Sequence, residues 1–238
     1  MMHRVQCTLL AAVAAIGLAS VASADDMPSQ APPVIAPVAN WTGCYIGANA
    51  GYGWTKKSWV DAGVPEGLNT SAGGLAGGQI GCDYQFASNW VVGIQGMYDW
   101  ANLNGSHPYT DDTRYIDRSK VSSIATLIGR IGYTVQPATL LYLRGGAAWV
   151  GDTFTEECSS AVDVCPGVAK VTRTGWTIGG GLEHQFAQDW SVFIEYNYMD
   201  FGRRTETLVY TDASTYDYSI KQNLWALQLG VSYRFSIL

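Results

Sequence analysis

From about residue 42 onward, apolar and polar side chains alternate with the period of two that belongs to extended strands. The stretch VFIEYNYMDF at 192–201 shows the pattern. Val192, Ile194, Tyr196 and Tyr198 fall on one face, and Phe193, Glu195, Asn197 and Met199 on the other. Similar alternation marks eight segments, at about 42–54, 74–86, 90–100, 121–134, 139–150, 173–186, 190–200 and 221–235. Each runs to about 11–15 residues, long for a soluble strand and suited to a tilted strand crossing an outer membrane.

One face of these segments is almost free of charge. It carries Ile46, Ala48, Ala50 and Tyr52; Ile80, Tyr84 and Phe86; Val92, Ile94, Tyr98 and Trp100; Leu127, Ile131 and Tyr133; Leu141, Leu143, Ala147 and Trp149; Trp176, Ile178 and Leu182; and Leu227, Leu229, Val231, Tyr233 and Phe235. The other face carries Asn49, Gln79, Gln95, Asp99, Arg130, Arg144, Glu183, Glu195, Gln228 and Arg234, diluted by glycine and serine. A sandwich core built from that second face would bury many ions in an apolar medium, whereas a barrel lumen can pair them. The expected fold is therefore all-β, an eight-stranded antiparallel up-and-down transmembrane β-barrel with lipid on its apolar face.

Spacing and tryptophan placement agree with this fold. Connections of about 19–22 residues, rich in charge and glycine, alternate with connections of about three to five, as long outer loops alternate with short periplasmic turns. Two short turns, QFASNW at 85–90 and QFAQDW at 185–190, share their turn chemistry. Of nine tryptophans only Trp59 falls within a long connection. Trp41, Trp54, Trp90, Trp100, Trp149, Trp176, Trp190 and Trp225 sit at or near segment ends, where interfacial aromatic girdles belong.

The N-terminus changes what counts as mature chain. His3 and Arg4 precede the apolar run TLLAAVAAIGLASVA, which ends at Ala22-Ser23-Ala24, a small-residue cleavage pattern. Residues 1–24 are expected to be a signal peptide, removed on export. Residues 25–40, DDMPSQAPPVIAPVAN, hold four of the eight prolines and read as a disordered periplasmic leader, leaving 41–238 as the barrel. Without residues 1–24 the chain has 13 basic against 20 acidic residues, a net charge of −7, and no basic patch points to nucleic acid. No apolar run of about 18 residues follows residue 24, so a membrane-spanning chain must cross with strands. Cys158 and Cys165 flank SSAVDV in a polar segment, and a disulfide there would close a small ring; no histidines stand near to complete a metal site.

LQLGVSYRF at 227–235 resembles the closing strand of OmpA-like eight-stranded barrels, and VVGIQGMYDW, LLYLRGGAAW and GGGLEHQF resemble its third, fifth and sixth strands. WTGCYIGANAGYGW at 41–54, followed by AGGQIGCDYQF at 76–86, is similar to a family of small alphaproteobacterial outer-membrane barrel proteins labelled porin-like, immunogenic or hemin-binding. The resemblance covers about residues 41–235 and implies location in the cell outer membrane; its motifs specify fold far better than function. Two departures stand out. Family strands commonly finish on an aromatic residue, but Ser236, Ile237 and Leu238 follow Phe235 here. Cys44 and Cys82 occupy positions where the family shows an aromatic or other apolar residue. They share the periplasmic edge and the lipid-facing parity, and a cross-strand disulfide and two separate thiols are both open.

The candidate site is the lumen. Gln95, Arg130, Arg144, Glu183, Glu195 and Arg234 all face inward by parity, with Arg130, Arg144 or Arg234 the expected partners of Glu195. They would form an ion-selective constriction or a paired network that fills a narrow barrel, and eight strands leave an interior that side chains just fill. Catalysis and cofactors are not expected. His107, beside Ser106, and His184 would stand on opposite sides of the membrane, and the glycines of GGLAGG and GGG lie in strands rather than in a phosphate loop.

Charge in the long connections is carried by Lys56, Lys57, Asp61 and Glu66; Asp111, Asp112, Arg114, Asp117 and Arg118; Asp152, Glu156, Glu157 and Asp163; and Arg203, Arg204, Glu206, Asp212 and Asp217. The leading functional expectation is a structural role in envelope integrity. The alternatives are a small porin-like channel through the lumen and a loop-borne binding module, an adhesin or a hemin or other ligand binder. Expected partners are outer-membrane lipid and lipopolysaccharide, with a host or small-molecule ligand at the loops under the last alternative. Arg203 and Arg204 suit lipopolysaccharide phosphates.

Overall fold

The computed structural model describes residues 40–61, 64–108, 115–158, 167–210 and 212–235. Side chains are described for all of these except 59–61, 64–68, 107, 108, 115, 117, 157, 158 and 216. Eight antiparallel strands form one ring: β1 (Gly43–Asp61), β2 (Val64–Phe86), β3 (Trp90–Pro108), β4 (Tyr115–Gln136), β5 (Thr139–Cys158), β6 (Gly167–Gln185), β7 (Trp190–Val209) and β8 (Thr215–Phe235). Each strand pairs with its sequence neighbours, and β1 pairs with β8 from Cys44↔Phe235 to Val60↔Ser219, closing the ring. Between β6 and β7 the register passes from Trp176↔Asp200 to Val168↔Val209, and residues 169–175 and 201–208 are not paired with each other.

Tight turns join β2 to β3 at 87–89, β4 to β5 at 137–138 and β6 to β7 at 186–189. Ala87 (φ 46) and Ser88 (φ 65) take the left-handed conformation in the first. At this same end Cys44 lies opposite Cys82 in the β1–β2 register, and a disulfide joins them.

The outer wall presents the charge-free face of the sequence. Ile94, Trp100 and Leu143 are each about two-thirds exposed, as a wall facing lipid requires. Aromatic rings bound this band. Near the tight turns Trp90 packs on Tyr133 at 5.3 Å and Trp190 on Tyr233 at 5.1 Å. At the far side Tyr98 meets Trp100 at 5.3 Å, while Tyr198 lies 5.5 Å from Trp176 and 5.4 Å from Trp225. At ~3.3 Å per residue and ~40° of tilt, Trp90 and Trp100 stand about 25 Å apart along the axis, the height of an outer-membrane apolar band.

The long connections are shorter than the sequence pattern implies. Strands of 19 to 23 residues carry the wall well past the outer girdle, so most residues assigned to loops belong to paired strand. Above the girdle the outer face turns polar and the inner face mixes apolar with charged residues, so the hydrophobic contrast that marks a strand disappears while the alternation of inward and outward side chains continues. Lys57, Asp152 and Glu156, expected on solvated loops, point inward and are buried. Trp41, expected among the interfacial aromatics, is fully buried because it enters the barrel mouth ahead of β1. The expected signal peptide and nearly all of the expected leader, Cys165 and the side chain of Cys158, the side chains of Trp59, His107, Asp61, Glu66, Asp117 and Glu157, and Asp111, Asp112, Arg114, Asp163 and Ser236 to Leu238 lie outside the described residues.

Candidate functional site

Inward-facing residues fill the barrel in successive layers. At the turn end Trp41 packs with Val91, Leu140 and Tyr142. Its indole N–H donates to the Pro137 carbonyl at 3.0 Å, and its own carbonyl accepts from Arg234 Nη1 at 2.7 Å. The mouth is thus shut by an apolar side chain whose polar groups are satisfied.

Next comes a charge-balanced layer in which Arg130, Arg144 and Arg234 face Asp83, Glu183 and Glu195. Arg130 grips Asp83 with two nitrogens, Nε to Oδ1 at 2.8 Å and Nη2 to Oδ2, and donates from Nη1 to Glu183 Oε2 at 3.0 Å. Arg234 Nη2 reaches the same Asp83 at 2.9 Å, and Ser191 donates to Glu183 at 2.6 Å. Arg144 Nη1 donates to Glu195, which also accepts from Tyr142 Oη at 3.0 Å and Asn197 Nδ2 at 3.1 Å. The Arg130 guanidinium lies between Tyr45 (4.8 Å) and Tyr142 (5.1 Å), and Tyr45 also covers Arg234 at 5.1 Å. Backbone without side chain makes room for these rings. A Cβ on Gly81 would sit 2.5 Å from Tyr45 Oη, and one on Gly181 would sit 2.6 Å from Tyr142 Oη. Charges this deep are tolerable because each is paired with an opposite charge, although Arg144 Nε, Arg234 Nε and Tyr45 Oη are buried without a hydrogen-bond partner among the described residues.

An amide layer follows. Gln95 donates to Gln79 and Gln79 to Ser232, both at 2.9 Å, while Gln228 donates to Asn49 at 3.1 Å and to Asp99 at 3.0 Å. Above it the lumen turns apolar. Leu75, Leu103, Val121, Ile124, Val150, Met199, Phe201 and Leu224 pack into one buried cluster across the bore. This corrects the expectation of a polar lumen throughout. The hydrophobic residues here share the inward parity of the ions, so the two faces differ by alternation but not uniformly by polarity.

A second charged layer lies beyond. Lys57 Nζ pairs with Asp152 Oδ1 at 2.8 Å, Gln222 donates to the same oxygen at 3.3 Å, and Arg173 donates to Gln222 at 3.0 Å and to the Ile220 carbonyl at 2.6 Å. The outermost layer packs Phe154, Ala169, Leu208 and Ile220 with Tyr210 and Tyr218, and Tyr210 donates to Glu156 at 2.5 Å. Burial and the bond to Glu156 push the Tyr210 phenol well above its ordinary range.

The six lumen residues named from sequence are all buried inside the barrel. Arg130, Glu183 and Arg234 meet around Asp83, Arg144 meets Glu195, and Gln95 lies in the amide layer without a charged partner. Of the three arginines considered for Glu195, only Arg144 pairs with it among the described residues. Trp54, Trp90, Trp100, Trp149, Trp176, Trp190 and Trp225 lie on the outer face in two groups. His184 is exposed, its Nδ1 2.9 Å from Thr139 Oγ1, and Ser106 is exposed on the wall. Sequence reasoning missed Asp83, Tyr45, Tyr142, Arg173 and Gln222. Parity could have found Asp83, two residues from Gly81 and four from Gln79 on the same face.

Comparisons with known proteins agree with this architecture. The family model described as outer membrane protein beta-barrel domain matches residues 11–235. The 31 kDa outer-membrane immunogenic protein of Brucella melitensis is 30% identical over 240 residues, spanning 95% of this chain and 98% of that protein. The 25 kDa outer-membrane immunogenic protein of Brucella abortus is 25% identical over 244 residues, spanning 98% and 100%. The crystal structure of the outer membrane protein OprG from Pseudomonas aeruginosa superposes with a TM-score of 0.54 at 13% identity, covering 83% of this chain and 98% of that one.

Proposed function

The chain belongs to the outer membrane protein beta-barrel domain family, and on that premise we propose that this outer-membrane protein supports envelope integrity as a closed barrel rather than acting as a channel or an enzyme. One observation carries the reading. The bore is crossed by the cluster of Leu103, Val150, Phe201 and Leu224, with a balanced ion layer on one side and the Lys57–Asp152 layer on the other. A hydrated ion moving through would shed its water against apolar side chains and then break paired charges. Among the described residues this apolar layer counts against the channel alternative. The loop-binding alternative loses Lys57, Asp152 and Glu156, which are committed to the interior.

Residues 1–24 are proposed to be cleaved on export, with 25–40 remaining as a periplasmic leader; sequencing the mature N-terminus should give Asp25. The functional test is removal of the protein from its host. Cells lacking it should become sensitive to detergent with a chelator, and restoration by wild type should reverse this. Unchanged barrier properties, together with slower uptake of a small solute, would overturn the structural reading in favour of the channel.

A further inference from the structure

Above the outer girdle the barrel separates its charges by face. The acids Asp152 and Glu156 point inward, while Lys56, Arg118, Lys120, Lys170, Arg203 and Lys221 are exposed on the outer wall; Arg204, opposite buried Ile220, has the inward parity. Exposed acids there among the described residues are few, Asp217 and Asp212, and Asp217 accepts a 2.6 Å bond from Thr207. In a chain of formal net charge −6, the outer face formed by the described residues at this level is locally cationic.

A shaped site lies on this face. A cleft of about 370 Å³ is lined by Asn104, Ser106, Arg118, Lys120, Thr153 and Thr155 on the outward faces of β3, β4 and β5. Register builds it. Lys120 lies opposite Asn104 on one side and Thr153 on the other, Arg118 lies opposite Ser106 and Thr155, and Thr153 lies opposite Lys170 on β6. Lys120 and Lys170 therefore flank Thr153 across adjacent strands, with backbones about 10 Å apart. Ammonium and guanidinium groups interleaved with hydroxyls and an amide are the donor set that phosphoryl oxygens accept from. Height supplies the second constraint. Asn104 stands about 10 Å along the axis beyond Trp100, within the headgroup zone that borders the hydrocarbon. Lysine side chains can bend toward that level while their stems cover the wall.

We propose that this cleft binds the phosphoryl groups of lipopolysaccharide in the outer leaflet. The proposal deepens the envelope role and rests on it. A barrel that anchors phosphorylated lipid replaces the divalent cations that otherwise bridge neighbouring phosphates, and so seals the leaflet around itself.

The full mature barrel, refolded in detergent with folding checked by its heat-dependent gel shift, is titrated with vesicles containing bisphosphoryl lipid A, with monophosphoryl lipid A, and with inorganic phosphate. Wild type should prefer the bisphosphoryl lipid, and K120Q/K170Q, which removes one cation lining the cleft and one beside it, should weaken that binding by about tenfold or more, as expected for loss of two positive charges at the site. R203Q/K221Q removes the same charge on β7 and β8 and should bind almost as wild type. Equal loss in both double variants would overturn the cleft in favour of diffuse attraction. Inorganic phosphate competing at equal concentration would overturn the lipid as occupant in favour of a soluble anion. If the lysine variant binds normally, yet cells lacking the protein remain detergent-sensitive, this site fails while the envelope role stands.

Discussion

Replacing Asp83 by Asn keeps the side-chain shape and removes one charge from a layer that balances only with it. Asp83 is fully buried and accepts from Arg130 Nε at 2.8 Å and from Arg234 Nη2 at 2.9 Å. In D83N the two guanidiniums share Glu183 alone, at 3.0 Å from Arg130 and 3.7 Å from Arg234, and the layer carries one uncompensated positive charge. Removing one partner of a buried pair costs about 3–5 kcal/mol, and two arginines drawing on one acid place this case in that range. The corresponding change in the folding equilibrium is roughly 10²–10⁴-fold, a large share of a typical domain's stability. Urea unfolding of the protein refolded into lipid vesicles, followed by tryptophan fluorescence, measures it. A cycle with R234Q should show a coupling of about 1 kcal/mol or more. A loss below about 1 kcal/mol for D83N, or additive single variants, would refute the claim that this layer is a coupled network.

Three further outcomes follow from the geometry. Gly81→Ala places a methyl group 2.5 Å from Tyr45 Oη and 2.7 Å from the Ile94 carbonyl, and should cost about 1–3 kcal/mol in the same urea titration; a neutral result would mean that Tyr45 does not lie over that glycine. Ser88→Gly should gain up to about 1 kcal/mol by relieving a left-handed residue at φ 65, and a loss in the unfolding midpoint would contradict the turn geometry. Reducing Cys44–Cys82, which closes a separation of 38 residues, should lower stability by about 2–4 kcal/mol, read as the shift in urea midpoint with and without reductant; identical midpoints would argue that the bond is absent.

The barrel was legible in the sequence because lipid makes the outer face of a strand apolar while the inner face keeps polar groups, and Ile94 beside Gln95 or Leu143 beside Arg144 record that contrast residue by residue. Closure by β1 and β8 followed from the strand count and from the alternation of long and short connections. What stayed hidden was the upper third of the wall. There Lys56 faces water and Lys57 faces Asp152, so neighbours of the same type serve opposite surroundings and hydropathy carries no signal. The lumen partners were hidden for another reason. Parity tells which residues point inward, but the shear of the barrel decides which of them share a level, so Arg130 with Asp83 could be known only from the register. Phe201 and Leu224 escaped notice as part of the plug because apolar residues on an inward face look the same in the sequence as those on an outward one.

Single-channel recording in a planar lipid bilayer tests the closed barrel most directly, using refolded wild type beside a variant in which Leu103, Phe201 and Leu224 of the apolar layer are replaced by serine. The account predicts a silent wild type whose folding is confirmed by its heat-dependent gel shift, with openings appearing only when that layer is made polar. Stable openings of the wild type that change with Glu195→Ala would show that ions pass through the lumen and would contradict the account.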